Sequence, residues 1–234
     1  MLWYKGWLET RFRLVFVLVV FGSFLIFFSM AARAPVTGPV KPLVGFVSFS
    51  VPMFVVMMCA MLAGAGIATQ PSLQAAKGLH GSTLFTLSLP VSRFRLLAVR
   101  ASLGWLEMAG TIGALCYAIW FVFPDLRDTA TAMELFQYAA ALMACASALY
   151  FVSVLAGTFL DDLWRTWGTM IAAVGLWWLS SHTPLRASFN VFRAMGEGSP
   201  LMAHTMPWTP MAFALGLAAV LFFAALKVVQ HREY

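Results

Sequence analysis

Charge is scarce in this sequence: nine Asp and Glu stand among 234 residues, and only 10% of positions are charged against 62% that are apolar. A water-soluble domain of this size cannot hide so much apolar side chain in its core, which excludes a solvated globule. Cysteine is nearly absent. Cys59, Cys116 and Cys145 form no CxxC pair, so neither a disulfide framework nor a thiolate metal site is supported. Each lies in an apolar run, where a thiol acts as a small apolar residue. There is no GxxxxGK[ST] phosphate loop, so the sequence holds no ATPase site of that kind, and it is read as a non-enzyme. The alternating ten-residue pattern of an outer-membrane barrel is missing as well. No solvated basic patch is large enough for nucleic acid, despite the net charge of +6.

What is there is a series of long apolar runs. A helix needs about 20 apolar residues to cross the hydrocarbon layer, and six windows qualify: 14–32, 45–68, 101–123, 135–158, 167–181 and 208–226. The expected class is therefore an all-α membrane protein with one transmembrane domain. No internal period divides it. Glu107 is the one formal charge inside these windows.

Lys and Arg set the orientation. With the N-terminus inside, the inner segments hold Lys5, Arg11, Arg13, Lys77, Arg93, Arg95, Arg100, Arg165, Lys227 and Arg232. The outer segments hold half as many, Arg33, Lys41, Arg127, Arg186 and Arg193, so both ends are expected in the cytoplasm of a multi-pass inner-membrane protein. The basic excess suits an anionic inner leaflet, making membrane lipid an expected partner. The first window has no small-residue cleavage site after it and is taken as a retained helix.

Residues 1–13 set Leu2, Trp3, Trp7, Leu8 and Phe12 against Lys5, Glu9, Arg11 and Arg13 at near-helical spacing. That predicts an amphipathic interfacial helix, serving either as an anchor for the first span or as a docking surface for a cytoplasmic partner. The inner loop, 69–100, carries apolar Leu79, Leu84, Phe85, Leu87 and Leu89 beside Lys77, His80 and Ser82, as a short helix along the membrane edge would. Pro90 stops that helix, and Ser92 is an expected N-cap for a helix running through Arg93, Arg95 and Arg100 into the third span.

The run Gly81-Ser82-Thr83-Leu84-Phe85-Thr86-Leu87-Ser88-Leu89-Pro90-Val91-Ser92-Arg93, following a Trp-rich N-terminal helix within a six-span topology, resembles the permease subunits of ABC-2 type ABC transporters. The resemblance implies a six-helix, type V exporter-like permease fold with no ATPase site of its own. It implies pairing with a second permease copy, as a homodimer, and with separate ATP-hydrolysing subunits that hold ATP and Mg. A coupling helix would map onto 74–85, with Gln74, Lys77, Leu79, His80, Thr83, Leu84 and Phe85 facing the ATPase. Trp3, Lys5, Trp7, Arg11 and Arg13 would belong to the interfacial helix. Relatives commonly carry an acidic residue before the Gly-Thr pair, where this chain has Ala75, Ala76, Lys77 and His80. The implied activity is export of an amphipathic or lipid-like substrate.

Other residues have two readings each. Glu107 is costly in a bilayer, and is either a translocation or gating residue or a carboxyl hydrogen-bonded to Trp or Ser neighbours. Asp161 and Asp162 would cap the fifth helix and pair with Arg165, or form a second contact with an ATPase. His182 and His204 lack an acidic companion in sequence and read as interfacial residues at the ends of a re-entrant outer segment, 183–207. Gly64, Gly66, Gly104, Gly110, Gly113, Gly168 and Gly175 permit close helix contact. The rival functions are a secondary transporter or channel without an ATPase, which would call for intramembrane ion ligands in matching halves, an intramembrane protease, which lacks a visible Gly-x-Ser-x nucleophile, and an accessory scaffold subunit.

Overall fold

The computed structural model describes residues 2–33, 46–63, 92–123, 126–127, 130–160, 162–182 and 189–231. These are all helix and connecting turn, with no strand among them. In chain order the helices are α1 (Leu2–Arg33), a π-helical turn (Phe46–Ser50) running into α2 (Val51–Leu62), α3 (Arg93–Val122), α4 (Ala132–Ala156), α5 (Asp162–His182), the short α6 (Val191–Met195) and α7 (Pro200–Ala203), and α8 (Trp208–His231).

Local chemistry explains the boundaries. Ser92 takes extended backbone (ψ 141°), and its hydroxyl accepts the Arg95 N–H at 3.3 Å, starting α3 at the predicted cap. Pro124 ends the same helix by forcing the preceding Phe123 into extended geometry (ψ 100°). Thr131 and Glu134 form a reciprocal capping box at the start of α4. α2 opens with Pro52, whose missing N–H costs nothing in a first turn. It ends at Ala63, where ψ swings to 110°.

α4 is the central helix. Of its apolar window 61% is buried, against 17% in α1 and 22% in α8, and it touches α2, α3, α5, α6, α7 and α8. Its run of small residues, Ala141, Ala144, Ala146 and Ala148, lets neighbours approach closely. The outward faces are the reverse of a soluble protein's. Phe12, Phe16, Val19 and Phe27 of α1 and Phe213, Leu215, Val220 and Phe223 of α8 are all exposed, as lipid requires and water does not.

Four helices, within Thr10–Phe27, Arg93–Val122, Ala132–Ala156 and Trp208–His231, are long and apolar enough to cross a membrane, as in a multi-pass membrane protein. They match four of the six expected spans. Of the expected second span, 45–68, the described part holds the apolar helix Val47–Leu62, which leaves helical geometry at Ala63; residues 45 and 64–68 lie outside the described residues. At 1.5 Å per residue that helix covers about 24 Å. The fifth, expected at 167–181, lies inside the 21-residue α5, where four Trp and several Thr and Ser lower the apolar character. The separate interfacial helix expected over 1–13 is not a distinct element. α1 is helical without interruption over 32 residues, about 48 Å, so that segment is the first three turns of a helix longer than the bilayer core.

Candidate functional site at the arginine-rich end of the bundle

Two helix C-termini meet arginines of neighbouring helices: the end of α2 meets α1 and α5, and the end of α8 meets the start of α3. A helix C-terminus leaves four carbonyls without intrahelical donors and carries the negative end of the helix dipole. Here arginines from neighbouring helices meet those carbonyls. Arg13 of α1 donates to Met61 O at 3.4 Å, and Arg165 of α5 donates to Ala63 O, both at the end of α2. Arg93 of α3 donates to Val229 O and Gln230 O of α8, each at 3.1 Å. The planar guanidinium suits this work, since its donors fan out in a fixed fork.

Among the described residues Arg165 is the largest fully buried side chain, at 1% exposure. It turns into the protein toward α2. Asp161 lies outside the described residues, as does the side chain of Asp162, so the expected capping pair does too. Arg100 is buried as well.

One to two turns deeper sits Glu107. Its Oε1 accepts a hydrogen bond from the Thr10 hydroxyl of α1, while Oε2 is buried without a hydrogen-bond partner. The expected Trp or Ser neighbours are replaced by a threonine 97 positions earlier. Thr10 belongs to the segment read as interfacial, yet it is buried against α3. Of the other residues predicted there, Trp3 and Trp7 are exposed, Arg11 is exposed and lies over the Phe12 ring at 4.9 Å, and the side chain of Lys5 lies outside the described residues. So do all the expected coupling residues, Gln74, Lys77, Leu79, His80, Thr83, Leu84 and Phe85.

One turn back from Glu107 along α3, level with the end of α2, the helices α2, α3 and α4 meet at Gly104. A Cβ there would stand 2.5 Å from Leu62 O and 2.5 Å from Tyr150 Oη. The Tyr150 hydroxyl donates to Ala101 O at 2.9 Å, and the Trp105 indole N–H donates to Ser147 Oγ at 3.0 Å, which ties α4 to α3 twice. By contrast, a Cβ added at Gly110, Gly113 or Gly175 would meet nothing within 4 Å. Of the described glycines singled out in the sequence, Gly104 is the one that a tight contact requires.

At the opposite end, α6 and α7 pack over the start of α4. Tyr138 Oη donates to Met195 O at 3.3 Å, and His204, the C-cap of α7 in left-handed geometry (φ 52°), stands 2.7 Å from Glu134 Oε1. His204 therefore does have an acidic companion, across 70 positions. Residues 183–188 of the expected outer segment and the side chain of His182 lie outside the described residues.

Glu107 permits a clean test. Replacing it with leucine removes an unpartnered buried oxygen and leaves Thr10 bonded to Trp7 O at 3.4 Å, so stability is expected to change by less than about 1 kcal/mol. Denaturation in detergent checks this, and a loss of about 3 kcal/mol would make the carboxyl a structural element. No family model matches the chain, and no curated protein or solved structure matches it either.

Proposed function

We propose that the chain is the membrane permease subunit of an ABC-2 type exporter, moving an amphipathic or lipid-like substrate with ATP hydrolysed by a separate subunit. In this reading all six apolar segments cross a cell inner membrane, and both ends and the arginine-rich end of the bundle are cytoplasmic. Two copies of the chain pair, and each engages an ATPase through 74–85. The observation that carries the reading is how the two flanks of the 64–91 segment are tied. On one side, Ala63 is held by Arg165, joining α2 to α5. On the other, α3 starts at a capped Ser92, and Arg93 grips the end of α8. A displacement delivered to that segment reaches four helices through two arginines, as rigid-body coupling requires.

The experiment is co-expression with a nucleotide-binding ABC subunit from the same cell, followed by purification and assay of ATP hydrolysis. The expected result is a stable complex in which Leu79→Asp and Phe85→Asp abolish substrate-stimulated hydrolysis while the permease stays folded. Absence of any co-purifying ATPase, together with full activity of both variants, would overturn the reading. A transporter without an ATPase is favoured by one observation, the buried Oε2 of Glu107. Flux into vesicles driven by an ion gradient, without ATP and lost in Glu107→Leu, would decide for it.

A further inference from the structure

Between α3 and α8, over the surface of α4, lies a cleft of about 460 Å³. Its floor is made of small buried residues, Ala101, Ser147 and Ala218, and its walls include Trp105 and Phe222. The cleft runs along α3 from Ala98 to Trp105 and along α8 from Leu215 to Phe223, about 10 to 12 Å at the helical rise.

The polar atoms in the cleft are already used. Trp105 donates to Ser147, the Ser147 hydroxyl donates to Met143 O at 2.7 Å, and the Ser102 hydroxyl donates to Ala98 O at 2.6 Å. An occupant meets no unfilled hydrogen-bonding group there and is selected for apolar bulk alone.

Charge enters at one end. Arg95 is one turn before Ala98 on the stripe that carries Ala98, Ser102 and Trp105, and Lys227 is one turn past Phe223 on α8. The two helices run antiparallel, so both cations stand beyond the same end of the cleft, the end where Arg93 joins α3 to α8. Both side chains are exposed, and neither has an ion pair among the described residues.

We infer that this cleft binds an anionic phospholipid of the surrounding bilayer, with an acyl chain along α3 and α8 and the headgroup phosphate between Arg95 and Lys227. The apolar walls take the tail by burial, and the two cations select the charge of the head. A second copy of the chain is the less suitable occupant, because another apolar helix would leave both cations without an anion. The site needs only that the bundle resides in a bilayer, so failure of the ATPase to co-purify leaves it standing.

The test uses the full chain. Purified protein is exchanged into phosphatidylcholine vesicles containing phosphatidylglycerol with a photoreactive diazirine on one acyl chain, and the labelled peptides are mapped. Native mass spectrometry then compares retention of phosphatidylglycerol and phosphatidylcholine with identical chains. Labelling is expected within 98–105 and 215–223, with phosphatidylglycerol preferentially retained. Arg95→Gln and Lys227→Gln are each expected to lower that preference about fivefold. Ala219→Trp, at an exposed position on the lip, fills the cleft and removes the labelling, whereas Val220→Trp beside it does not. Equal retention of both lipids, labelling spread evenly over α1 and α8, or crosslinking between copies through Ala219→Cys would each overturn the proposal.

Discussion

Gly104→Ala will destabilise the bundle by about 3 kcal/mol, and Gly104→Val will prevent it from forming. The added carbon meets a backbone carbonyl, Leu62 O, on one side and the Tyr150 hydroxyl on the other, both at 2.5 Å. Leu62 cannot rotate away, because its carbonyl belongs to the last turn of α2, which Arg13 and Arg165 hold in place from two directions. Tyr150 can move only by giving up its hydrogen bond to Ala101 O. Removing that hydroxyl takes away one of the two obstructions. The cost of Gly104→Ala is therefore expected to fall by about 1 kcal/mol in a Tyr150→Phe background, the coupling expected of residues in contact. Gly110→Ala is the matched control: it lies two turns along the same helix with open space around it, and gains about 0.5 to 1 kcal/mol from helix propensity. Unfolding in mixed micelles measures all four. Equal effects at positions 104 and 110 would mean that the α2, α3 and α4 junction does not hold the fold.

That contrast shows where sequence reading stops. The seven glycines singled out from the spans are alike in pattern, and only the crossing of α2 over α3 tells Gly104 from Gly110. Signals confined to a few neighbouring residues were legible. Ser92 after a proline marks the start of α3, whereas Thr131 with Glu134 three residues on, a capping-box pattern just as local at the start of α4, went unread. Four spans were legible because length and apolarity in a bilayer are local properties. The end of α2 was not, since apolar residues continue past Ala63 and the arginine that captures its carbonyl lies 102 positions away. Likewise the count of Lys and Arg marks one end of the bundle as basic, but not that Arg13, Arg93 and Arg165 turn inward to helix ends while Arg11 and Arg95 stay exposed. Glu107 stood out as a lone acid. Its partner Thr10 sits in a segment whose alternation of Trp and charge reads as a surface helix, because a 3.6-residue period cannot distinguish a face on lipid headgroups from a face on another helix.

A second large effect belongs to Arg165. Arg165→Ala is expected to cost about 4 kcal/mol, because it opens a cavity among fully buried residues and strips Ala63 O of its donor. Arg165→Met separates the two contributions. The thioether fills most of the volume of the arginine stem, whose Cδ passes within 3.1 Å of the position a Cβ on Gly157 would take, and leaves only the lost hydrogen bond, about 1 to 3 kcal/mol. Arg165→Lys retains the charge but not the fork, and is expected to fall between the two. Arg11→Ala, at an exposed position, stays within about 0.5 kcal/mol of the parent. If the end of α2 is where motion of the 64–91 segment enters the bundle, Arg165→Met will keep the fold yet lower ATP hydrolysis coupled to substrate more than Glu107→Leu does, since it cuts the link from α2 to α5. Alanine and methionine variants of equal stability would instead show that Arg165 acts through its hydrogen bond alone, with the surrounding helices closing over the missing volume.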